Sequence, residues 1–192
     1  YARGGASREA IRVANLKAVV AMAPAGGSLN AWGADGIGAV TAPLLLIAGD
    51  RDGTVDYKSG ARAFFDQAAH SNRYLLTYLN GGHRIGLGPA PEEMRQRLWD
   101  QDWFQDAVWS APRIVGINLH FITAFLDRYV KDDASRAAYL DGLVPRSNDG
   151  TWPPAQGEAY GAYSPGTGGV TVWKGFQRGH AEGLELLHAT PN

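Results

Sequence analysis

Three short apolar runs punctuate the first eighty residues: KAVVAMA at 17–23, LLLIA at 44–48 and YLLTYL at 74–79. None alternates apolar with polar positions, and each stops at glycine or proline: Pro24 with Gly26 and Gly27, Gly49, then Gly81 and Gly82. Continuous apolar runs of this length read as strands buried on both faces. Between the second and third runs, RAFFDQAAH has helical spacing. It predicts a helix over about 57–70 with Asp56 as its N-cap. A strand, a helix and a strand make the right-handed crossover that sets parallel strands side by side.

Beyond residue 83 the period turns helical. PEEMRQRLWDQDWFQDAVW (91–109) opens at Pro91 with Glu92 and Glu93 behind it, as a helix start should. RIVGINLHFITAFLDRYV (113–130) gathers Ile114, Ile117, Phe121, Ala124, Phe125 and Tyr129 largely on one face, the pattern of a helix laid on a sheet. From 132 the chain becomes rich in Gly, Pro and Ser. It reads as an extended tail with one short strand in VTVWKGF (170–176), while LELLHA (184–189) fits a strand or a helical turn. The expected class is α/β: residues 1–131 hold a parallel sheet with covering helices, and 132–192 form an irregular tail.

Charge and composition narrow the function. A net charge of −1 offers no footprint for nucleic acid. No apolar run reaches the length of a membrane span. The absence of cysteine removes disulfides, thiolate nucleophiles and cysteine metal sites, and leaves the compartment open. No His/Asp/Glu set has metal-ligand spacing such as H-E-x-x-H, so neither a metal nor a cofactor is expected.

The two glycine-bearing turns carry the chemistry. GDRDGTV, after the second strand, presents Asp52, with Asp50 as the alternative acid. NGGH, after the third, presents His83. Parallel neighbours lie about 4.8 Å apart, and the carboxyl edge of such a sheet is where open α/β folds place ligands. An acid and a histidine on these turns can therefore meet. Histidine suits a site that must both take and return a proton near neutral pH. Asp56 serves the helix, His70 ends it, and His120 belongs to a packed helix face. His180 and His188 fall in the tail.

AVVAMAP, APLLLIAGDRDGTVDY and YLLTYLNGGH together resemble the last three strands of the α/β-hydrolase fold, within it the dienelactone-hydrolase-like esterases. The matching acid turn G-x-x-D-x-x-V is Gly49, Asp52 and Val55, and the histidine follows Gly82. The likeness covers about residues 15–131. It implies a serine hydrolase acting on a small carboxylic ester or lactone, with Asp52 orienting His83 and His83 serving as base.

That family also needs a nucleophile elbow, G-x-S-x-G. The nearby serine, Ser7 in GASRE, has Glu9 where the elbow needs glycine, and no apolar strand precedes it. The expectation is that the nucleophile and oxyanion hole lie outside this chain, which begins at Tyr1 and reads as the carboxyl-terminal part of something longer. Three strands would leave an apolar edge, so the expected partner is an upstream segment of the same protein or a second copy. Trp32, Trp99 and Trp103 are expected to line an apolar substrate wall, and Trp109 fits either that wall or the core. Two other readings stay open: a non-catalytic interaction module of the same fold, and an aspartate nucleophile acting on a carbon–halogen bond.

Overall fold

The computed structural model describes residues 13–27, 29–86, 88–97, 103–152, 165–176 and 181–192. Ser7, Trp99 and His180 lie outside them. The three apolar runs form β1 (Val19–Met22), β2 (Leu44–Gly49) and β3 (Arg73–Tyr78). A fourth strand, β4 (Leu184–Ala189), comes from the tail. The sheet runs β1-β2-β3-β4, parallel across the first three strands and antiparallel between β3 and β4. It is therefore a mixed α/β sheet, where an all-parallel one was expected.

Every residue of β2 and β3 is buried, because the sheet is covered on both faces. Alternate residues supply the two cores, as the two-residue period of a strand requires. Leu45, Ile47, Tyr74, Leu76 and Tyr78 face the long helix α3 (Ala111–Val130). Leu44, Leu46, Ala48 and Leu75 face α2 (Ala63–Gln67), where they meet Ala61, Phe65 and Ala68. A short α1 (Gly33–Gly38) follows β1, and α4 (Ala137–Leu140) follows α3.

Helix α3 matches its sequence pattern. Ile114, Ile117, Phe121, Ala124 and Phe125 are buried. Each large apolar side chain among them contributes about 1.5–3 kcal/mol by leaving water. Tyr129 packs at the margin of the same core. Among the described residues no helix is long and apolar enough to cross a membrane.

Three segments depart from the sequence reading. The helix over 57–70 shrinks to a widened turn, Lys58–Arg62, running into α2, with non-helical angles at Gly60. The cause is close backbone contact with the loop after β1. A Cβ on Gly27 would lie 1.5 Å from the Ser59 carbonyl oxygen, and one on Gly60 would lie 2.9 Å from that of Pro24. Asp56 does accept the Ser59 N–H at 2.8 Å, as a capping side chain should.

The helix over 91–109 is replaced, in the described residues, by one turn at Glu92–Met94 and by non-helical turns from 103 to 110. There the Asp106 side chain takes the N–H groups of Val108 and Trp109, which offers the backbone an alternative to helix.

In the tail, VTVWKGF is not a strand. Gly175 within it has a positive φ, outside the range of a strand, and so do Gly168 and Gly169 just before it. Trp173 instead buries its ring in the α3-side core and donates Nε1–H to the Val144 carbonyl at 2.8 Å. LELLHA supplies the strand, with His188 opposite Tyr74 and Leu186 opposite Leu76. The tail thus completes the sheet on its β3 side. On the other side β1 is the outermost strand among the described residues, and its four residues are only half-buried.

Candidate active site

Asp52 lies three residues past the end of β2, and His83 five past the end of β3. These strands are paired to their last residues, Gly49 opposite Tyr78. The turn and the loop that follow them are joined by backbone. Arg51 N–H donates to the Gly81 carbonyl at 2.9 Å, and Asp50 N–H donates to that of Tyr78 at 3.2 Å. Glycine at 49 makes this possible: a Cβ there would sit 2.2 Å from the Gly81 carbonyl oxygen and 2.7 Å from that of Gly82. In the G-x-x-D pattern, then, the glycine serves the approach of two chains, with no need of a left-handed backbone.

That approach sets a hydrogen bond of 2.8 Å between His83 Nδ1 and Asp52 Oδ2. The Asp52 side chain is 2% exposed and that of His83 38%. The other carboxylate oxygen of Asp52 accepts two backbone N–H groups, from Thr54 and Val55, at 2.8 Å each. The acid is thus held on both oxygens in a shielded place. A carboxylate only accepts, so the proton of the neutral ring belongs on Nδ1, and Nε2 is left as the basic nitrogen. Asp50 has a different partner, accepting the Asn80 N–H at 2.6 Å. Of the two candidate acids, the structure brings Asp52 to the imidazole.

The loop is fixed from below as well. Trp109, buried in the core, donates Nε1–H to the Leu79 carbonyl at 3.0 Å and meets Tyr78 edge-on. Burial pushes the Tyr78 phenol far above its ordinary range, so it stays a neutral donor and bonds Asn118 Oδ1 at 2.8 Å. Asn118 Nδ2 in turn donates to the Ile85 carbonyl at 2.8 Å, beneath the turn His83–Gly86. Asp106 accepts the Gly82 N–H at 2.6 Å. Sequence reasoning missed Asn118 and Asp106. Asn118 is a polar residue beside the apolar positions Ile114, Ile117 and Phe121 of α3, a visible signal of a buried partner.

The tryptophans expected as a substrate wall separate. Trp32 is half-exposed, donates Nε1–H to the Ala25 carbonyl at 3.1 Å, and lines a cavity of about 180 Å³ with Ile37, Ser59 and Phe64. Neither Asp52 nor His83 is among that cavity's described lining. Trp103 is 70% exposed and lies beside Arg84, whose Nε–H bonds its carbonyl at 2.7 Å. His120 is half-buried on α3, in edge contact with Phe121, Tyr139 and Phe176. His188 stacks on Tyr74 at 4.1 Å. Among the described residues, no group of three or more His, Cys, Asp or Glu side chains is placed to hold a metal.

The chain matches no protein-family model and no curated protein.

Proposed function

We propose that this chain carries the acid and base of a serine hydrolase acting on a carboxylic ester or lactone. The observation that supports the reading is the 2.8 Å bond from His83 Nδ1 to a nearly buried Asp52, at the carboxyl ends of adjacent parallel strands. A sheet with three parallel strands, an acid after the second and a histidine after the third is the arrangement expected at the carboxyl-terminal side of an α/β-hydrolase sheet. The chemistry follows from the same geometry. A serine supplied from outside this chain attacks the carbonyl carbon, and His83 Nε2 takes its proton. Asp52 holds the ring in register and stabilises the imidazolium. The proton then passes to the leaving alkoxide, and water cleaves the acyl-enzyme by the same base.

The test is hydrolysis of a p-nitrophenyl ester by the longest expressible form of the protein, combined with fluorophosphonate labelling read by mass. Turnover that disappears with His83→Ala, and a label on a serine outside residues 1–192, support the reading. Undiminished turnover in a folded His83→Ala protein refutes it. Stoichiometric labelling at Ser7 moves the nucleophile inside this chain.

A further inference from the structure

We propose that Asp106 is a positioning residue for His83, acting through the backbone of the loop; this rests on the reading of Asp52 and His83 as acid and base. Asp106 lies in the non-helical segment before α3, and its carboxylate is divided between two tasks. Oδ1 accepts the N–H groups of Val108 and Trp109 at 2.9 Å each, a local turn. Oδ2 reaches across 24 residues of sequence to the Gly82 N–H at 2.6 Å. Gly82 directly precedes His83, and a Cβ on it would lie 3.1 Å from the same Asp106 oxygen.

On the far side of the loop, Asp50 accepts the Asn80 N–H at 2.6 Å. Two carboxylates therefore hold alternate N–H groups, at 80 and 82, while Arg51 N–H holds the carbonyl between them. Charge-assisted bonds of this kind are roughly twice as strong as neutral ones. The two clasps differ in what they tie together. Asp50 belongs to the same turn as Asp52, so its bond travels with the acid. Asp106 belongs to the α3 side, where its neighbour Trp109 is buried against Tyr78 and bonds Leu79. Asp106 thus sets the height of His83 over the sheet, independently of the acid that receives its ring.

Asparagine at 106 separates this role from simple packing. It matches aspartate in shape but keeps one acceptor oxygen. The local turn to Val108 and Trp109 retains that oxygen, so the amide NH₂ faces the Gly82 N–H, donor against donor. The loop is released while the side chain still fills its place.

The experiment uses the 192-residue chain and reads the His83 imidazole by long-range ¹H–¹⁵N spectroscopy, beside a thermal melt. Wild type should show the Nδ1–H tautomer. Asp52→Asn should shift the population toward Nε2–H, and Asp106→Asn should shift it the same way with the melting transition retained. If Asp52→Asn alters the imidazole and a folded Asp106→Asn does not, Asp106 has no positioning role and the acid–base pair stands. If Asp52→Asn leaves the imidazole unchanged, the pair itself fails, and this inference with it. Should Asp106→Asn not fold, wild type decides. A Gly82 amide protected from exchange, whose proton shift titrates with a carboxylate, supports the clasp, and an unprotected Gly82 amide overturns it.

Discussion

Gly49→Ala tests the geometry most directly, because it adds one methyl where two backbones meet. The new Cβ would stand 2.2 Å from the Gly81 carbonyl oxygen, against an ordinary contact of 3.4 Å or more. The histidine loop must retreat by about 1.2 Å, since neither backbone is a flexible side chain that could swing away. A retreat of that size stretches the 2.9 Å bond from Arg51 N–H and the 2.8 Å bond from His83 to Asp52 beyond useful length. Overpacking of this kind costs about 1–3 kcal/mol of stability. Misplacing a catalytic group by about 1 Å costs on the order of 100-fold in rate. Gly53 is the control. It lies in the same turn, and a Cβ there meets nothing within 4 Å, so Gly53→Ala should leave both properties nearly unchanged. The assays are the thermal melt and the His83 tautomer, with kcat where turnover is present. A Gly49→Ala protein that melts with wild type and keeps its Nδ1–H signal would refute the claim that this contact sets the site.

In an active form of the protein, Asp52→Asn should lower kcat by about 10⁴-fold with the fold retained, because the amide favours the wrong tautomer; steady-state kinetics and circular dichroism check it. Burial holds the His120 pKa below its ordinary value, so between the two values the unfolded chain binds more protons and stability rises with pH. Stability is then full above about pH 6.5 and declines as pH falls through the folded value. His188 is shifted in the same direction, mainly by burial, so His120→Leu should reduce, without abolishing, the loss of melting temperature between pH 7.5 and 5. Gly116 lies inside α3 with open space around its would-be Cβ, so Gly116→Ala should raise stability by about 0.5–1 kcal/mol in denaturant titration.

Local pattern alone determined β1, β2, β3 and α3. Their apolar spacing reports burial on two faces or on one, and burial is what holds them. The two site turns were legible for the same reason: glycine-bearing turns at strand ends announce themselves within a few residues.

Everything decided by contact between distant segments required the folded chain. Asp50 and Asp52 sit on one turn with identical chemistry. Only the seating of residues 80–82 gives the first a backbone N–H and the second the imidazole. LELLHA could be a strand or a helical turn until β3, more than a hundred residues earlier, offered its edge. Asp106 falls in the stretch whose spacing predicts a helix over 91–109, yet its carboxylate closes on the Gly82 amide 24 residues earlier. Trp109 and Trp32 share a residue type and lie in different places, one in the core and one at a rim. Sequence records the free energy of burying a segment, which accumulates residue by residue. Which partner a polar group finds depends on the relative placement of whole elements, and that exists only once they have packed.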